Sequence, residues 1–281
     1  MNLMPLLDSV PVMPAEIPLI YIILGAAGSG RREVLADLID AGLPEGAQAA
    51  VLLASTEPAD ALDARLPSLA RWNWCEGAID ASLTPYATHV FFVTDGRQNP
   101  VDQLEALQKW VPAVQGEVGR VITVVNCRLA EQNPALIAWY EACVHFSDVA
   151  LLNQREGVAN KWMSEFQLRF KDLCYPCLFE IVKAGRVKNP LLVLDPQARR
   201  MSHLFDIDEW TGLDLEGVEF GTEDEEGVEL VDDQPDKKAG KGKDAAEDDD
   251  DDWKPQVDPY FQLRLGGRRE KEIPDIAKYL P

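Results

Sequence analysis

Positive charge, histidine and cysteine are all in short supply in this 281-residue chain. Lys and Arg number 27 against 48 Asp and Glu, a net charge of −21. That balance argues against general binding to nucleic acid or to an anionic membrane. The deficit is local: residues 206–252 hold 21 of the acidic residues and four lysines, so the rest of the chain is close to neutral. Five cysteines (Cys75, Cys127, Cys143, Cys174, Cys177), an odd number at irregular spacing, argue against a secreted disulfide framework. Histidine occurs only at His89, His145 and His203, scattered, and ordinary structural roles are expected of all three. The N-terminus lacks a basic n-region and is broken by prolines, which makes it a poor signal peptide. The longest apolar run, Leu19 to Ala27, is far too short to span a bilayer, and the compartment reads as cytoplasm.

What is present is an alternation. LIYIIL (19–24), AAVLLAS (49–55), HVFFVT (89–94), RVITVVN (120–126) and DVALLN (148–153) are apolar runs of strand length. Between and after them come segments of helical spacing: 31–42, 101–111, 133–146 and 158–173. LLVL (191–194) is expected to be the last strand. Strands alternating with amphipathic helices predict an α/β domain with a mainly parallel sheet. A leader (1–16) precedes that domain (17–205). An acidic low-complexity linker (206–252) comes next, expected to be disordered because it cannot bury enough apolar surface to offset its chain entropy. Residues 253–281, with aromatics, a Gly-Gly turn and the basic cluster Arg268, Arg269 and Lys271, read as a docking segment that contributes little core.

ILGAAGSGRR (23–32) carries the glycine spacing of a phosphate-binding loop, G-x-x-x-x-G from Gly25 to Gly30, between a strand and a helix. Such a loop points successive backbone N–H groups at phosphates, and the helix adds its positive end. A Lys then neutralises the β/γ-phosphates, and a Ser or Thr hydroxyl completes the shell of Mg²⁺. Here those two positions are Arg31 and Arg32. A guanidinium is bulkier than an ammonium and does not replace it conservatively, and Arg32 offers no hydroxyl.

Two further stretches extend the pattern: VTDGRQNP (93–100) after the third strand and LLNQRE (151–156) at the fifth. Together with the loop, over roughly residues 17–205, the chain resembles the CobW-like GTPases, relatives of the urease and hydrogenase accessory GTPases. Thr94, Gly96 and Pro100 match the family's second motif and Asn153 its guanine-reading motif. The resemblance implies a P-loop NTPase-like three-layer domain, GTP or another nucleotide as ligand, and contacts from Gly25, Gly28, Ser29, Gly30, Arg31, Arg32, Gly96, Asn153 and Glu156. The departures fall on the chemistry. The family's switch Glu is Val93, with Asp95 two residues on as the substitute catalytic candidate, and the guanine-reading Lys and Asp are Gln154 and Glu156. Of its cysteine metal motif only Cys75 stands in place, so no metal site is assigned and magnesium handling is not expected to survive.

CYPC (174–177) has the spacing of a redox or zinc half-site, but no second pair accompanies it, and buried or partly buried core cysteines are expected. The sequence therefore points to a GTPase-like protein with a degraded nucleotide site and weak or absent hydrolysis. It would act as an interaction or assembly module whose acidic tail and C-terminal segment engage a protein partner. The alternatives are a divergent active GTPase or ATPase, with Arg31 on the phosphates and Asp95 organising magnesium through water, and a P-loop kinase of a small metabolite.

Overall fold

The computed structural model describes residues 17–206 and 257–280; the expectations for the leader and the acidic linker lie outside them. Chain order is β1 (Leu19–Leu24), α1 (Arg31–Gly42), β2 (Ala49–Ala54), β3 (Ala70–Cys75), β4 (Ala78–Asp80), β5 (His89–Val93), α2 (Pro100–Ala113), β6 (Glu117–Asn126), α3 (Cys127–Gln132), α4 (Pro134–His145), β7 (Val149–Asn153), α5 (Asn160–Asp172), β8 (Leu178–Lys183), β9 (Arg186–Val187) and α6 (Pro190–Leu194). The nine strands form one sheet in the order β4-β3-β2-β5-β1-β6-β7-β8-β9. All pairings are parallel except the two edge hairpins, β3 with β4 and β8 with β9. The α/β class with a mainly parallel sheet is as expected.

β1 lies at the centre, between β5 and β6. Its alternate residues enter two cores: Ile20, Ile22 and Leu24 pack with α2, α4 and α5, while Tyr21 and Ile23 pack with α1 and α6. Burial on both faces is why this strand reads as an unbroken apolar run. Helix starts reflect their local chemistry. Asn99 accepts a hydrogen bond from the Val101 N–H, and Pro100 occupies the first helical position, where no N–H is missed.

Two expectations are corrected. Residues 191–194 are not a strand: Pro190 opens a short helix that buries Val193 and Leu194 and exposes Leu191 and Leu192. The last parallel strand is instead β8, which has no unbroken apolar run to announce it; toward the sheet edge it is only partly buried and carries Glu180 and Lys183. The C-terminal segment also contributes core, contrary to expectation. Tyr260 and Ile276 are buried in the α2/α4/α5 layer, and Phe261, Ile273, Tyr279 and Leu280 pack against it. Arg269 clasps Asp102 at 2.8 Å and Glu105 at 2.6 Å on α2. Asp258 meets His145 Nε2, at the end of α4, at 2.9 Å.

Candidate functional site

In a parallel sheet the loops at the carboxyl ends of neighbouring strands converge, and ligand sites of open α/β sheets lie there. In this chain those loops are 25–30 after β1, 55–60 after β2, 94–99 after β5, and the turns after β6 and β7. Gly25 has φ +144°, and a Cβ on it would stand 2.6 Å from the Val124 carbonyl oxygen. Gly96 presses still closer. A Cβ there would meet the Ala27 nitrogen at 2.5 Å and the Gly25 oxygen at 2.6 Å, so only glycine fits this approach.

Many of the loop's backbone groups are spent on neighbours. The Ala27 N–H donates to the Gly96 carbonyl at 3.1 Å, and the Ser29 N–H to Ala26 at 3.1 Å. Asn126 donates its amide to the Gly28 carbonyl at 3.1 Å, and Asn153 to the Ser29 carbonyl at 2.9 Å. Asn153 is thus a buried tether between β7 and the loop. The Tyr140 hydroxyl accepts from the Asn126 N–H at 2.9 Å; burial pushes its pKa up, so it stays protonated. Two features remain uncommitted. The N-terminus of α1 has no side-chain cap, and the fully buried Ser29 Oγ has no hydrogen-bond partner.

The two arginines have partners within the chain. Arg31 is buried; its Nη1 donates to the Thr94 carbonyl at 2.5 Å and its Nη2 pairs with Glu57. Arg32 reaches the other Glu57 oxygen at 3.2 Å, Asp63 at 2.7 Å and the Pro58 carbonyl at 2.8 Å. Asp63 also pairs with Arg71 of β3 at 2.8 Å, and Arg71 donates to the Glu57 carbonyl at 2.9 Å. A capping box between Asp60 and Asp63 fixes the turn that presents Asp63. Three guanidinium groups and two carboxylates thus form one network over the mouth of the loop, with Asp95 bonded beside it through Thr56.

Asp95 is buried with both oxygens engaged, one by the Thr56 hydroxyl and one by the Arg97 N–H, each at 2.9 Å. Gln103 of α2 braces its backbone, accepting from the Asp95 N–H at 2.7 Å and donating to its carbonyl at 3.0 Å. Magnesium does not fit these residues as they stand: Arg32 brings a cation to the position that needs a hydroxyl, and both Asp95 oxygens are already bonded. Glu156 is exposed and pairs with Arg128 at 3.6 Å. It borders a cavity of about 460 Å³ together with Glu33, Asn153, Gln154 and Gly185.

The structure links Gly25, Ser29, Gly30, Arg31, Gly96 and Asn153 through successive neighbouring contacts and leaves Glu156 at the rim. Glu57, Asp63 and Arg71 join them without having been expected from the sequence. Their signal is faint: an Asp-x-x-Asp capping pattern at 60–63, just beyond an apolar strand. Of the CYPC cysteines, Cys177 is buried and its thiol is pushed up by burial, whereas Cys174 is exposed, contrary to the core role expected of it. Among the described residues no group of three or more His, Cys, Asp or Glu is placed to hold a metal ion, and no helix is long and apolar enough to cross a membrane.

No protein-family model matches the chain, and no curated protein matches it. Among solved structures it is similar to the zinc-bound YjiA GTPase of E. coli, with 11% identity over 66% of this chain and 67% of that one and a TM-score of 0.37. It is also similar to the cell division protein FtsY of Thermotoga maritima, with 16% identity over 65% and 69% and a TM-score of 0.40.

Proposed function

We propose that this chain is a CobW-like, P-loop GTPase-like domain whose nucleotide site is degraded, and that it works as an interaction or assembly module. One observation carries the reading: the Arg31 guanidinium is held by the Thr94 carbonyl and Glu57. A group meant to neutralise a triphosphate instead neutralises a carboxylate of its own chain, so GTP or another nucleotide must compete with an intramolecular partner. With no hydroxyl at position 32 and both Asp95 oxygens engaged, magnesium-assisted hydrolysis lacks its usual supports.

The C-terminal segment supports the interaction role. Leu263 pairs with Arg269 across a turn at Gly266 and Gly267, the Arg264 N–H donates to Arg268 at 2.8 Å, and Leu265 stands fully exposed at the tip. Arg269 holds the base of this turn on α2. A preorganised apolar side chain flanked by arginines lowers the ordering cost of docking onto a protein.

The second reading, a divergent GTPase, is favoured by the uncapped N-terminus of α1 and the unpartnered Ser29 Oγ, both of which suit an anion. Calorimetric titration with GTP, GDP, ATP and ADP, with and without Mg²⁺, separates the two. The degraded site gives no saturable heat up to millimolar nucleotide. A guanine-selective, magnesium-dependent isotherm moves the assignment to the active GTPase.

A further inference from the structure

The segment between β2 and the 60–63 turn is built with more care than a connection needs. Its Thr56 hydroxyl is fixed to Asp95 at 2.9 Å. Arg71 holds the Ala54 carbonyl at 3.2 Å and the Glu57 carbonyl at 2.9 Å, and Arg32 holds the Pro58 carbonyl at 2.8 Å. The result of these contacts is one placement: the Glu57 carboxylate, largely buried, with one oxygen on Arg31 and the other on Arg32. Behind the two arginines lie the uncapped first turn of α1 and the buried, unpartnered Ser29 Oγ, which is turned into the loop 3.0 Å from where a Gly25 Cβ would stand.

We infer that Glu57 is a latch, an internal carboxylate that occupies the oxyanion position of the loop, and that displacing it uncovers a metal-independent site for a small oxyanion such as pyrophosphate or phosphate. This rests on the reading of the loop as a degraded phosphate site and adds what closes it and what it accepts. The chemistry comes from the residue types. Two guanidinium forks supply two of the three positive charges that one lysine and a divalent cation supply in an intact loop, and each donates charge-assisted hydrogen bonds to an oxyanion without a metal. A carboxylate satisfies the same forks with a single negative charge. An oxyanion of higher charge therefore competes for them, and its binding is coupled to movement of residues 55–60. The latch also has a structural duty: without it, the buried Arg31 guanidinium keeps no carboxylate partner and faces Arg32, whose remaining carboxylate is Asp63.

The test titrates pyrophosphate, in EDTA, into the full chain as wild type, Glu57→Gln and Glu57→Gln/Arg31→Ala. The latch predicts that E57Q binds pyrophosphate at least about tenfold tighter than wild type and that the added Arg31→Ala abolishes the gain. Equal, measurable affinity in wild type and E57Q overturns the latch, and with it the reading of a degraded loop. No binding in either, with E57Q folded, overturns the latch and leaves the degraded-site reading standing. If E57Q does not fold, hydrogen exchange of wild type decides. Millimolar pyrophosphate accelerates exchange in residues 55–60 if the latch opens, and unchanged rates there overturn it.

Discussion

Two arginine-bearing segments of this molecule use the same chemistry in opposite directions. At 31–32 the guanidinium groups turn inward, onto Thr94, Glu57 and Asp63, and the strong donors are matched by acceptors of the chain itself. At 264–269 only Arg269 turns inward, onto α2, while Arg268 and Leu265 face solvent on a hairpin. The first segment has the spacing of a ligand site and spends its charge on the fold; the second reads as a tail, yet it contributes core and also presents an exposed apolar tip. The lesson is about where free valence lies. A motif fixes backbone shape, but the bonds left over for a ligand depend on which side chains the fold brings alongside.

The largest expected effect sharpens the C-terminal half of this comparison. Removing residues 257–281 strips Tyr260 and Ile276 from the core, a loss of roughly 3 kcal/mol or more at ~1.5–3 kcal/mol per buried apolar side chain. At this size that corresponds to a melting point lower by about 10 °C. Differential scanning calorimetry that finds a change of only about 1 °C would show the segment to be a passive tail.

Next in size is Glu57→Gln, which leaves Arg31 and Arg32 without their shared carboxylate. A cost of about 1–3 kcal/mol in urea unfolding is expected, with the slope of the transition unchanged. No cost would mean that the network contributes nothing to stability and that the inward turn of the arginines is incidental.

A smaller effect, about 1 kcal/mol, is expected at Asp258. Burial alone would raise its pKa, but hydrogen bonds from His145, Ser202 and the Tyr260 N–H hold the carboxyl below its ordinary value. Such a group stabilises the fold above its unfolded pKa, and that contribution fades as pH falls through the folded value. Wild type should therefore melt above Asp258→Asn at neutral pH, and the gap should close on acidification below the ordinary carboxylate range. A gap that widens in acid would reverse the assignment.

The smallest effect on the fold is expected at the hairpin tip. Leu265→Asp should change stability by less than about 0.5 kcal/mol, because the side chain buries nothing. A clear destabilisation by chemical unfolding would show that the tip packs on its own chain and would remove the docking surface.

The central strands and the helices around them are legible because their burial leaves a mark at short range. β1, β5, β6 and β7 are covered on both faces and read as apolar runs, and α1, α2, α4 and α5 show helical spacing. β8 leaves a weaker mark because a partly buried strand carries polar residues, and four apolar residues at 191–194 are too few for periodicity to separate helix from strand. Of the site, the glycines, the two arginines and Asn153 are visible in the sequence. Their partners are not, since Glu57 and Asp63 carry no signature beyond a common turn.

The sequence by itself determined the α/β class, the strand–loop–helix at 19–42 and an arginine where that glycine spacing calls for lysine, because each is written in neighbouring residues. Only the tertiary structure decided what that arginine does. The strand order β3-β2-β5-β1 sets Arg71, Glu57, Asp95 and the 25–30 loop side by side, although they are drawn from a stretch of chain that runs from residue 25 to residue 95. A buried guanidinium must find a counter-charge, and which one it finds is a matter of distance in space.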